Sequence, residues 1–84
     1  MLGQVKELII SATTADEDIF EQLEGDVISA LEIKAGADAT VTVNGSDFVI
    51  DKDEVLAFPY NYMRINSIVA VTAGVKLKIR YLAE

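Results

Sequence analysis

The amino-acid sequence predicts an all-β fold, an eight-stranded antiparallel β-sandwich of jelly-roll type built from residues 1–84 as a single domain. Three observations carry the prediction: side chains alternate with a period of two, turn-forming residues recur at short intervals, and the second half of the chain echoes the first. Half of the 84 residues (51%) are apolar, enough for one core and not for a second.

Alternation is plainest in Val75-Lys76-Leu77-Lys78-Ile79-Arg80-Tyr81, whose odd-numbered residues would face a core while the cations face solvent. Thr40-Val41-Thr42-Val43 is a β-branched run suited to a pleated surface. Turn chemistry falls at Glu24-Gly25-Asp26, Ala35-Gly36-Ala37-Asp38, Asn44-Gly45, Asp51-Lys52-Asp53 and Ala73-Gly74. Asn44-Gly45 is the strongest signal, because both residues tolerate the positive φ of a type I′ hairpin turn. The segments between turns read as strands over 4–13, 18–23, 27–34, 39–43, 46–50, 54–58, 64–72 and 75–82. For the second of these the competing reading is a helix over Asp16–Leu23, capped by Thr14, with Ile19, Phe20 and Leu23 on one face and Gly25 to stop it.

A shift of 38 positions sets Phe20 on Phe58, Ser29 on Ser67 and Ala35-Gly36 on Ala73-Gly74, with Leu31, Ile33 and Val41 falling on Val69, Val71 and Ile79. Two four-strand units of this kind are what a jelly roll of two Greek keys requires; chance likeness between strand-turn-strand stretches is the alternative.

Seven basic against fourteen acidic residues give a net charge of −7, a field that repels phosphate backbones and excludes nucleic acid as an expected partner. There is no basic stretch followed by an apolar one at the N-terminus, and no apolar run reaches the roughly 18 residues that span a bilayer. The chain is therefore expected to be made in the cytoplasm, with no membrane partner.

The absence of His, Cys and Trp removes the commonest general base, the reactive thiol and the usual metal ligands. Ser11, Ser29, Ser46 and Ser67 have no imidazole to activate them, so neither a catalytic residue nor a cofactor is expected. Asp16, Glu17 and Asp18 form one acidic cluster, and Asp51, Asp53 and Glu54 another. They read as solvated turn acids; calcium is the rival ligand, although neither cluster has the spacing of a dedicated calcium loop, and no metal site is assigned. A hydrolase using Asp51 and Glu54 would need a cleft for which a chain this small has little material.

Phe58-Pro59-Tyr60-Asn61-Tyr62-Met63 is the most distinctive segment, with three aromatic residues around the only proline. Structurally, Phe58 would end a strand inside the core and the tyrosines would cover one end of the sandwich. Functionally, the tyrosines would contact a protein partner, or form with Asn61 a platform for a sugar ring. Ile68-Val69-Ala70-Val71 is apolar on both faces of its strand, which predicts that another subunit or a larger body covers one of them; the alternative is that small Ala70 is tolerated outside. The candidate protein contacts are accordingly Phe58, Pro59, Tyr60, Tyr62, Met63, Ile68 and Ala70.

The segments Ala35-Gly36-Ala37-Asp38-Ala39-Thr40-Val41-Thr42-Val43-Asn44-Gly45, Glu54-Val55-Leu56-Ala57-Phe58-Pro59, and Ile65 through the Ser67-Ile68-Val69-Ala70-Val71 strand to Tyr81 resemble small virion proteins of tailed bacteriophages. These are compact β-sandwich modules that serve as capsid decoration, head fibres or tail and baseplate attachments. The resemblance covers roughly the last two thirds of the chain and is one of style, without a catalytic signature. It implies a non-enzymatic subunit located in the virion, homo-oligomeric with a trimer favoured, and bound to capsid or tail proteins. A carbohydrate-binding module using Tyr60 and Tyr62 is the alternative.

Overall fold

A computed structural model describes residues 4–11, 14–23, 28–60 and 62–83. Among the described residues eight strands follow one another: β1 Gln4–Ser11, β2 Glu17–Asp18, β3 Ile28–Ala35, β4 Ala39–Val43, β5 Ser46–Ile50, β6 Val55–Phe58, β7 Ile68–Ala70 and β8 Lys76–Ala83. They form two four-stranded antiparallel sheets, ordered β1-β8-β3-β6 and β2-β7-β4-β5. The pairs β1-β8, β2-β7, β3-β6 and β4-β5 alternate between the sheets, as in one long hairpin ribbon wound around a core. That is the jelly-roll order.

Alternation decides which side chains meet in that core. Leu31, Ile33 and Ala35 of β3 point inward with Leu77, Ile79 and Tyr81 of β8, and Val41 and Val43 of β4 meet them from the other sheet. Lys76, Lys78 and Arg80 point to solvent as alternation requires. At the Asn44-Gly45 hairpin both residues take positive φ, 49° and 84°, and Val43 pairs with Ser46. This is the backbone a type I′ turn needs.

Two predicted strands are shorter than their composition suggests. The segment read as a strand over 18–23 pairs with β7 at Glu17 and Asp18, keeps one more bond to it from the Ile19 amide to the Ile68 carbonyl at 3.0 Å, then enters a single 3₁₀ turn at Phe20–Gln22. The Asp18 Oδ1 accepts a hydrogen bond from the Phe20 amide at 3.0 Å, which diverts the chain from the ladder. The rival helix does not form either. Thr14 donates to Glu17 Oε1 at 3.3 Å, but Asp16 between them has φ 57°.

The strand expected over 64–72 is divided. Ile65 bridges Ile28 at the end of one sheet, while Ile68–Ala70 pairs with β4 in the other. Between them Asn44 Oδ1 accepts from the amides of Asn66 (2.9 Å) and Ser67 (3.3 Å), and these donors are then spent on a corner rather than a ladder. The first predicted strand extends to 13, but residues 12 and 13 lie outside the described part, as does the turn at 24–26.

The 38-residue shift carries β2 onto the start of β6, β3 onto the segment containing β7, and β4 onto β8. Advancing each strand by four likewise turns the order β1-β8-β3-β6 into β5-β4-β7-β2, which is the second sheet read backwards. The correspondence ends at residue detail. Leu31 pairs with Tyr81, whereas the shifted partner of Val69 is Val43 and its actual partner is Thr42. Gly74 has φ 75° and Gly36 does not share that conformation.

Candidate functional site

The aromatic segment leaves the sandwich where β6 ends. Phe58 is buried, with its ring edge-on to Phe48 at 5.3 Å and 82°. Pro59 then ends the strand because it has no amide to donate. Its carbonyl accepts from the Tyr62 amide at 3.1 Å, closing a turn that brings the Tyr62 ring over Phe58 at 6.2 Å and 30°. Met63 packs half-buried against the core, and the next carbonyl, of Arg64, accepts from Asn44 Nδ2 at 2.7 Å. Both ends of the loop are thus tied down while Tyr60 (56% exposed) and Tyr62 (68% exposed) project from it. Asn61 lies outside the described residues.

Beside this loop the outer face of the β1-β8-β3-β6 sheet carries a shallow groove of about 480 Å³, lined at its surface by Ala30, Ala57, Pro59, Leu82, Glu32 and Arg80. The small side chains of Ala30 and Ala57 leave the groove open between longer neighbours. A second hollow of about 220 Å³ continues it past Glu32 and Arg80 to Lys34, Val55 and Lys78. Four of the seven cations, Lys34, Lys76, Lys78 and Arg80, stand on this outer face of an otherwise acidic chain. Arg80 Nε donates to Glu7 Oε2 at 2.9 Å, and Lys78 lies 3.9 Å from the same oxygen. The Arg80 hydrogen bond and the nearby positive charges hold the Glu7 carboxyl below its ordinary value, against a smaller opposing effect of burial. Glu7 in turn raises Arg80 further.

The predicted contact residues divide by this geometry. Pro59, Tyr60 and Tyr62 are exposed, and Met63 is half-buried against the core. Ile68 and Ala70 are not surface residues: they are 0% and 1% exposed and face the chain's own core. Period-two geometry puts Val69, half-buried, on the outward face instead, paired with Thr42. Phe58 likewise serves the core, being 7% exposed, and supports the loop from below.

The acids at 51–54 are turn residues, whereas of the other cluster Asp16 turns the chain into β2, which holds Glu17 and Asp18. Glu54 donates its amide to the Asp51 carbonyl at 2.9 Å, Asp53 has φ 64°, and Asp38 Oδ1 caps the Lys52 amide at 2.8 Å. Asp51 and Glu54 therefore share one exposed turn rather than opposite walls of a cleft. Among the described residues no group of three or more carboxylates is gathered around a point that would hold a metal ion. No described helix is long and apolar enough to cross a membrane. Of the serines, Ser29 alone is deeply buried, and its Oγ has no hydrogen-bond partner among the described residues.

Fold and site together define a jelly-roll sandwich that displays an anchored aromatic loop beside a basic, grooved sheet face. Comparison of the chain with protein-family models, with curated proteins and with solved structures gives no match in any of the three.

Proposed function

We propose that this chain is a non-enzymatic structural module of a bacteriophage virion, acting through contacts with copies of itself and with capsid or tail proteins. The observation that carries the proposal is the display of Tyr60 and Tyr62 on a loop fixed at Phe58, Met63 and Arg64. Rigid, exposed tyrosines give a contact large apolar area at little cost in ordering. The sequence resemblance supports the virion setting. The jelly-roll order supports it only by analogy, since that architecture also serves lectins and other functions. A chain without His or Cys, whose paired acids lie on an exposed turn, has few groups from which to assemble a catalytic centre.

Co-sedimentation of the purified chain with capsids and with tails of the encoding phage tests this directly. Binding to one of them is expected, weakened about tenfold or more by Tyr60→Ala or Tyr62→Ala if these residues anchor the contact. Absence of binding to both particles refutes the virion role.

The carbohydrate-binding reading keeps one observation of its own. Tyr62 stacks on Phe58 through one ring face while the side chain remains 68% exposed, the arrangement of a sugar platform. Specific binding on a glycan array, abolished by either tyrosine substitution, would favour it over the virion role.

A further inference from the structure

The sandwich has four free strand edges among the described residues, at β1, β6, β2 and β5, and the chain treats them unequally. A free edge carries unpaired N–H and C=O groups that template another strand, so proteins shorten it, charge it or place proline there. β2 is two residues long. β6 has four residues, with Glu54 before them and Pro59 after. β5 has five, with Asp47 inside the strand and Asp51 directly after it. β1 has eight residues and no proline; its two charges, Lys6 and Glu7, stand in its first half, with Glu7 engaged by Arg80 and Lys78 of β8, so Leu8–Ser11 carries no charge. It also presents Ile9, 51% exposed, on the outer face.

We propose that β1 pairs with β1 of a second copy of this chain, antiparallel about a two-fold axis with Ile9 opposite Ile9, joining two four-stranded sheets into one of eight strands. The proposal rests on the homo-oligomeric reading above and assigns to it a surface and a register. The register follows from polarity. With Ile9 at the axis, Leu8 faces Ile10 on the inner side, extending the core across the seam, and Glu7 faces Ser11 on the outer side. Centring on Glu7 would oppose two carboxylates, and centring on Leu8 would set Glu7 against Ile9. Lys6, the charge that guards the edge, falls outside the five paired residues Glu7–Ser11. The contact is isologous, so it closes as a dimer and does not propagate into a fibre.

The chain contains no cysteine, so a single introduced cysteine forms a disulfide only between copies. Directly opposed strand residues lie within the Cα separation that a disulfide accepts. Ile9→Cys is expected to cross-link at least about tenfold faster than Val49→Cys on the exposed β5 edge, because paired sulfurs meet at a high effective concentration. Light scattering is expected to give twice the monomer mass for the wild type and the monomer mass for Ile9→Lys, with circular dichroism showing that the variant keeps its fold. A wild-type oligomer in which Ile9→Cys reacts no faster than Val49→Cys overturns the edge assignment and leaves the homo-oligomeric reading standing. A trimeric mass overturns the two-fold pairing in the same way. A monomeric wild type at millimolar concentration overturns both the edge and the homo-oligomer, while particle binding remains decided by co-sedimentation.

Discussion

Substitution of Asn44 by Gly and by Ala separates two roles that one residue fills. Its backbone holds the positive φ of the hairpin turn, and its side chain ties that turn to the corner at residues 64–67 through Arg64, Asn66 and Ser67. The bonds at 2.7 and 2.9 Å are well formed, and each contributes about 1 kcal/mol net; the longer one at 3.3 Å shares an acceptor and adds little. A residue with a Cβ that lacks a local polar side chain pays about 1 kcal/mol or more to hold this conformation. Asn44→Gly, which removes the bonds and keeps the turn, should therefore cost about 1 to 2 kcal/mol, and Asn44→Ala about 2 to 3 kcal/mol. Urea unfolding followed by far-ultraviolet circular dichroism reads the difference, since at a slope of about 1 kcal/mol/M each kcal/mol moves the midpoint by about 1 M. The slope should not change. A glycine variant as stable as the wild type would show that the side-chain bonds contribute nothing. Equal losses in the two variants would refute the backbone argument.

Ser29→Ala removes a buried hydroxyl without a partner and should stabilise the chain by about 1 kcal/mol, raising the thermal midpoint by several degrees; a lower midpoint would mean that the hydroxyl is bonded. Gly74→Ala should cost about 1 kcal/mol from its φ of 75° although its surroundings are open. Gly36→Ala should be tolerated, because the new Cβ meets the Lys76 carbonyl at an ordinary 3.5 Å; equal unfolding midpoints for the two variants would contradict this. Glu7 has a folded pKa below its ordinary 4.5, so its pairing stabilises the fold above that value and is lost as pH falls through the lower folded one. Glu7→Gln should thus lower the thermal midpoint slightly at pH 7, less in high salt, and not at pH 2; a deficit that persists at pH 2 would point to packing instead.

The legible part of the fold was whatever alternation and turn chemistry encode locally. β4, β5 and β8, and the type I′ turn at Asn44-Gly45, follow directly from short-range pattern, and the jelly-roll order follows from the repeat of strand types. The failures come from side-chain-to-backbone bonds that period-two patterns do not contain. Asp18 bonding to the Phe20 amide turns a segment that reads as a strand into a 3₁₀ turn, and Asn44 bonding twenty-two residues away, to Asn66, breaks a strand that reads as continuous. In the candidate site the exposed tyrosines and their proline were visible as an unusual cluster. An all-apolar run does not say which face is inward, so Ile68 and Ala70 read as contact residues, whereas pairing with β4 and β2 turns them to the core. The basic groove was not visible at all. Lys34 and Arg80 are 46 positions apart and meet only because β3 lies beside β8.

The central claim is that the chain acts by associating, with itself and with a larger particle, through surfaces the fold displays. Sedimentation velocity of the purified wild type over a hundredfold range of concentration tests the first half of that claim most directly. The account predicts an oligomer that persists on dilution; a 9.1 kDa species at every concentration would contradict it.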